Sequence, residues 1–200
     1  MAQPIKVLVV GCGNMGASHA RAYHKMDQFE IAGLVSRGAE SRQALSDELG
    51  GGMPLFSDFY EALKETKPDA VSVNTYPDTH AEYVIASLKA GAHVFVEKPL
   101  ANTVEECEEI VRIAKESDKK LLIGYIVRVH PAWQKFIEIS QTLGKPLVMR
   151  MNLNQQSSGK TWETHKNLMN SMSPIVDCGV HYVDVMCLMT EANPIRVSGM

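Results

Sequence analysis

The 200-residue chain sets 20 Lys and Arg against 23 Asp and Glu, a formal net charge of −3, and 45% of its residues are apolar. That balance describes a globular protein with a sizeable core, without the basic block that a nucleic-acid groove or a polybasic membrane anchor requires. No apolar run is long enough to span a bilayer, and Cys12, Cys107, Cys178 and Cys187 lack the spacing of a disulfide framework or a zinc ribbon. The first ten residues lead straight into a glycine motif with no small-residue cleavage site, so the reading expects a cytoplasmic chain without a signal peptide.

The elements follow a strand-then-helix rhythm. Ile5 to Val10 reads as a buried parallel strand, and Met15 to Met26 has helical spacing. Ile31 to Ser36 is a second strand, and Glu40 to Leu49 a helix stopped by Gly50-Gly51-Gly52. Pro54 to Phe56 is a short third strand, followed by a helix from Asp58 to Glu65. Strand Ala70 to Val73, helix Asp78 to Ala90, strand His93 to Val96, helix Val104 to Glu116 and strand Leu121 to Tyr125 complete six strand positions. The alternation predicts an α/β fold with a doubly wound parallel sheet over residues 1–125.

The rhythm then changes. A helix is expected from Pro131 to about Leu143, an alternating strand from Leu147 to Gln155, and a polar loop from Gln156 to Met172. A helix follows with Ser173 as N-cap and Pro174 at its first position, and Ile195 to Met200 reads as a last strand. Residues 126–200 therefore read as the start of a second α/β domain. Two strands and two helices are thin cover for a sheet, so a truncated domain is expected.

Gly11-Cys12-Gly13-Asn14-Met15-Gly16 is GxGxxG, a weak pattern alone. Here it follows a strand and opens a helix, the context in which it cradles a dinucleotide pyrophosphate on the helix N-terminus. Gly11 permits the turn, Gly13 the approach of phosphate and Gly16 the packing of helix on strand. At the tip of the second strand, where a carboxylate would bind the ribose of NAD, stand Ser36 and Arg37. A guanidinium there suits a 2′-phosphate, so NADP is favoured over NAD, against the plainer reading of Arg37 as a solvated loop residue.

Glu97-Lys98-Pro99 follows the fifth strand at the sheet's carboxyl edge, where open parallel sheets bind ligands. A lysine there can stabilise an ionising substrate hydroxyl, although most lysines are simply at the surface. Asp177 and His181, four apart on the late helix, suit a carboxylate-tuned general base, with Asp184 as an alternative partner for the ring. A structural helix pair explains the same spacing. No metal ligand set is indicated, and no GxSxG elbow occurs.

Taken together, VLVVGCGNMGASHARAY, VNTYPDTHAEYVIASLKAGAHVFVEKPL, GYIVRVHP and SPIVDCGVHYVD resemble the Gfo/Idh/MocA family of sugar and cyclitol oxidoreductases over the whole chain. The resemblance implies an NAD(P)-binding Rossmann domain followed by a C-terminal α/β domain on a large, mostly antiparallel open sheet. It implies Lys98, Asp177 and His181 as catalytic residues, with a proline after the lysine that often takes a cis bond. The cofactor contacts it implies are Gly11, Gly13, Asn14, Met15, Gly16, Ser36, Arg37, Thr75, Pro77, His80, Glu97 and Lys98. Arg128 matches the second arginine of a paired-arginine segment whose first position is Val127 here, so a substrate contact is expected at Arg128, with Trp162 and His165 as further candidates. The implied reaction passes hydride between nicotinamide and a sugar or cyclitol CH–OH, with His181 taking the hydroxyl proton and Lys98 stabilising the oxygen. Rival readings are a cofactor-retaining glycosidase-like enzyme, a non-catalytic dinucleotide sensor and an inactive fragment. A homo-oligomer is expected if the C-terminal sheet is complete.

Overall fold

In a computed structural model, residues 3–152, 154, 158–169 and 172–198 are described, the side chains of residues 160, 161, 164 and 165 excepted. The chain divides into two compact units, Met1–Gly124 and Tyr125–Met200.

The first unit is organised by its first strand. In β1 (Ile5–Val10) the side chains of Val7, Leu8, Val9 and Val10 are each at most 2% exposed, as both faces of a parallel strand are when helices cover them. Alternate residues feed two cores. Val7 and Val9 pack with Ala20, Leu34, Leu45 and Leu49 on one face. Leu8 and Val10 join Phe59, Val84, Leu88 and Ile110 on the other. The remaining strands are β2 (Phe29–Val35), β3 (Leu55–Phe56), β4 (Ala70–Val73), β5 (His93–Val96) and β6 (Leu121–Ile123). All pairings are parallel, in the order β3-β2-β1-β4-β5-β6. Between β1 and β2 the register slips at Val7/Leu8, which leaves Ala32 without an opposite residue.

The helices are α1 (Asn14–His24), α2 (Ala39–Glu48), α3 (Phe59–Thr66), α4 (His80–Lys89) and α5 (Val104–Glu116). Asp58 caps α3 by accepting from the Glu61 N–H. Thr103 and Glu106 form a reciprocal capping box at α5. The expected helix from Asp78 instead opens with a 3₁₀ turn, Pro77–Thr79, before α4.

The second unit contains a 3₁₀ turn (Ile126–Val129), α6 (Pro131–Gln141), α7 (Gly159–Leu168), a π turn (Ile175–Gly179) and α8 (Val180–Thr190). Trp133 of α6 packs against Tyr182 of α8 with ring centroids 6.1 Å apart. Two expectations are corrected here. The polar loop after residue 156 contains α7, in which Trp162 and Leu168 are half-buried. The alternating segments 147–155 and 195–200 form no strand among the described residues, because a strand needs a paired neighbour and none is present. Val148 is 97% exposed and Val197 86%, so these side chains have no cover either.

Candidate functional site

Because every strand of the first unit is parallel, the loops after β1, β2, β4, β5 and β6 share one edge. The strand order reverses direction between β1 and β4, which opens a crevice at their carboxyl ends. The glycine loop fills the floor of that crevice. Gly11 has φ +92, and a Cβ there would lie 2.7 Å from the Asn74 carbonyl oxygen at the end of β4. A Cβ on Gly16 would fall inside the van der Waals radius of the Gly11 carbonyl oxygen. Gly13 is the opposite case: a Cβ built there meets nothing within 4 Å. The space beside its backbone is open, as the approach of a pyrophosphate requires. Gly13 is the N-cap of α1, and the first turn holds no acidic residue, whereas α2 to α5 each carry at least one. The exposed Asn14 and Met15 begin that turn. An anion is favoured at such a terminus. Cys12, inside the loop, is buried, and burial pushes its thiol up to about 11 against the opposing charge of Arg42, so it is no nucleophile near neutral pH.

At the tip of β2, Ser36 is half-buried and Arg37 exposed. Two further residues of α2 converge there. The Ser41 hydroxyl lies 3.2 Å from that of Ser36. Arg42 donates from Nη1 to the Ser36 carbonyl at 2.6 Å and lies 3.4 Å from that of Arg37. Arg42 was invisible from the motif, but a second arginine in the first turn after an expected cofactor arginine was the signal available.

After β4, the Thr75 hydroxyl bonds that of Thr79 at 2.7 Å, and Pro77 is buried. His80 is wholly buried: Nδ1 lies 2.7 Å from the Pro99 carbonyl and Nε2 3.0 Å from that of Thr75. Both ring nitrogens thus face backbone carbonyls, of which a neutral ring donates to one, and the ring sits between the loops after β4 and β5. Glu97 is likewise turned inward, with Oε1 2.8 Å from His19 Nε2 and Oε2 3.3 Å from the Lys98 N–H. Lys98 is half-buried, and its bond to Pro99 is cis, as the resemblance implied.

Burial holds His80 below the ordinary histidine range, and the Pro99 and Thr75 carbonyls only partly offset this. The unfolded chain therefore binds more protons than the folded one below about pH 6.5, and the folded state loses stability as pH falls from there. Thermal unfolding followed from about pH 7.5 to 5 is expected to show this loss, and His80→Gln to flatten it. An equal slope in the variant would refute the assignment.

In the second unit Asp177 is 2% exposed, and Cys178 Sγ donates toward its Oδ2 at 3.4 Å. Asp177 lies in the π turn and His181 in the first turn of α8, so their four-residue spacing spans the junction of two helical turn types. A Cβ on Gly179 would sit 2.5 Å from Ile175 Cδ1, the end of an exposed side chain. The Arg128 side chain is 50% exposed and paired within its own unit. Its guanidinium forks onto Asp184 at 2.7 and 2.5 Å and lies 5.4 Å from the centre of the Tyr125 ring, which meets His181 edge-on at 6.3 Å. Asp184 is therefore taken by Arg128 rather than by His181. Trp162 is a half-buried residue of α7; the side chain of His165, on the same helix, lies outside the described residues. Among the described residues no three His, Cys, Asp or Glu side chains are grouped to hold a metal ion, and no helix is long and apolar enough to cross a membrane.

A glycine loop opening a helix at the switch point of this strand order places the first unit among the dinucleotide-binding Rossmann domains. The chain belongs to the Gfo/Idh/MocA family, whose profile, an oxidoreductase family with an NAD-binding Rossmann fold, matches residues 5–125. It is 30% identical over 189 residues to the UDP-N-acetylglucosamine 3-dehydrogenase of Acidithiobacillus ferrooxidans, covering 94% of this chain and 55% of the relative. The crystal structure of that dehydrogenase superposes with a TM-score of 0.74 and 28% identity over 98% of this chain and 59% of its own. The inositol 2-dehydrogenase of Klebsiella pneumoniae is 27% identical over 91% of this chain and 53% of the relative. A 3-ketoreductase from Actinomadura kijaniata, solved with TDP-benzene and NADP, gives a TM-score of 0.63 at 26% identity, over 68% of this chain and 43% of its own. The chain spans about half the length of the curated relatives it matches.

Proposed function

We propose that the chain is part of an NAD(P)-dependent dehydrogenase or reductase acting on a CH–OH group of a sugar or cyclitol. The observation that carries this is the open space at Gly13, set between two glycines whose own Cβ positions are filled by protein. The dehydrogenase names of the relatives support the substrate class. The cofactor, when bound, supplies the hydride acceptor or donor, and the side chains supply position and charge. Lys98 stabilises the negative charge that develops on the substrate oxygen, His181 exchanges the hydroxyl proton, and the buried Asp177 tunes that histidine. Gly11, Asn14, Met15, Thr75 and Pro77 border the nucleotide.

We further propose a preference for NADP. Support comes from the absence of a carboxylate at Ser36-Arg37 and from Arg42, whose charge acts both at the strand tip and at Cys12 of the glycine loop. Parallel fluorescence titrations with NADPH and NADH test it. NADPH is expected to bind at least about tenfold more tightly, and Arg37→Ala to remove most of that difference. Equal affinity for both would withdraw the preference, and no binding of either would withdraw the dinucleotide reading.

The second unit is proposed to belong to a larger α/β substrate domain with a mostly antiparallel open sheet, where segments 147–155 and 195–200 pair and copies of the protein meet. The uncovered Val148, Ile195 and Val197 support this. Trp162 and His165 remain proposed substrate contacts on this unit. The proposed compartment is the cytoplasm, and the proposed partner a small polyol rather than nucleic acid or membrane.

A further inference from the structure

The backbone around Lys98 is anchored on both sides. On the amino side, the Lys98 N–H faces Glu97 Oε2 at 3.3 Å, and Glu97 Oε1 accepts from His19 Nε2 at 2.8 Å. This carboxylate has little room to swing: its side chain is 9% exposed, and a Cβ on Gly124 would lie 2.9 Å from Oε2. The His19 ring is itself held against Phe95 of β5, centroids 4.6 Å apart. On the carboxyl side, Pro99 has no N–H to offer, and its carbonyl takes His80 Nδ1 at 2.7 Å. Through Nε2 the same ring reaches Thr75 in the loop after β4.

These two histidines come from helices with different tasks. His19 sits on α1 one turn beyond Gly16, so it belongs to the helix whose N-terminus forms the glycine cradle. His80 is the first residue of α4. The Lys98–Pro99 turn is thus tied to the cradle helix through Glu97 and to the β4 loop through Pro99.

We propose that His19 and His80 are positioning residues which clamp the Lys98–Pro99 turn, fixing the lysine and the phosphate cradle in one frame. The clamp rests on the proposed catalytic role of Lys98. A reacting group held to within a fraction of an ångström by packing and hydrogen bonds keeps its productive geometry, and one left to a free loop does not. Neither histidine touches the reacting atoms. Each acts through the backbone on either side of the lysine.

Competitive acylation of the purified chain with acetic anhydride, read by peptide mass spectrometry, tests the clamp without nucleotide or substrate. Lys98 is expected to label roughly tenfold faster in His19→Ala and in His80→Ala than in the wild type, because removing either anchor, at the Glu97 carboxylate or at the Pro99 carbonyl, frees the turn. The half-buried Lys119 serves as reference and is expected to keep its rate. His19→Gln retains a side-chain N–H within reach of Glu97 and is expected to restore slow labelling, which a loss of general packing would not do. Where an alanine variant does not fold, Glu97→Gln keeps the volume, weakens the same anchor and is expected to give the same local rise. Unchanged Lys98 labelling in folded variants overturns the proposal. So does an equal rise at Lys119 with no rescue by glutamine. The NADPH titration fails or succeeds independently, so a wrong dinucleotide reading and a wrong clamp leave different signatures.

Discussion

Gly16→Ala is expected to unfold the first unit, whereas Gly13→Ala is expected to leave it folded and unable to hold a dinucleotide. The two glycines stand three residues apart in one motif. At position 16 a methyl group collides with the carbonyl of Gly11, a residue whose N–H donates to the Val35 carbonyl and whose Cα lies against the Asn74 backbone. Relief would require α1 to lift from the sheet. The cost lies at the exceptional end for one substitution, above about 4 kcal/mol, a large part of a typical domain's stability. At position 13 the backbone has φ −78 and ψ −166, open to any residue, and the methyl meets no protein atom. Its stability is expected to change by no more than about 0.5 kcal/mol, while nucleotide affinity falls by roughly one to two orders of magnitude. Circular dichroism melts and NADPH titrations of the two variants read these effects separately. Full binding by Gly13→Ala would remove the pyrophosphate from this loop.

Lys98→Ala and His181→Ala are each expected to depress hydride transfer by roughly a hundred- to a thousandfold, with NADPH affinity nearly intact. Neither change touches the glycine cradle, so binding and chemistry separate. Stopped-flow absorbance of the nicotinamide, with a substrate found by screening sugars and cyclitols, gives the rate; the fluorescence titration gives the affinity. Parallel loss of both would mean that these residues support cofactor binding, and the role assignment would fall.

Much of the first unit could be read in advance because local and long-range preferences agree there. Strands Ile5–Val10, Ala70–Val73 and His93–Val96 and helix Val104–Glu116 have the same ends in sequence and structure. Each apolar run is bounded by glycine, a polar residue or a cap, and burial on both faces suppresses any competing period. The glycine loop was legible for the same reason. His19 and Asn74 were not, because each acts through a partner distant in sequence: Glu97 lies 78 residues from His19, and Asn74 backs Gly11. His80 and Glu97 were visible as motif positions, yet only coordinates reveal that both turn inward. In the second unit, alternation promised strands at 147–155 and 195–200, but alternation records which face could be buried and not whether a neighbouring strand is there. Helix α7 was hidden by its polar composition, with Trp162 too isolated to announce a periodic face.

The central place of β1 has a consequence for the order of biosynthesis. β1 leaves the ribosome before both of the strands it pairs with, β2 and β4, and Gly11 lies against Asn74. A nascent chain that has not yet exposed β4 holds a glycine loop with one wall missing. Nucleotide capture during translation therefore cannot begin when the motif itself emerges. It must wait for residues some sixty positions later, and in that interval an unpaired edge of Val7 to Val10 is open to chaperones or to mispairing.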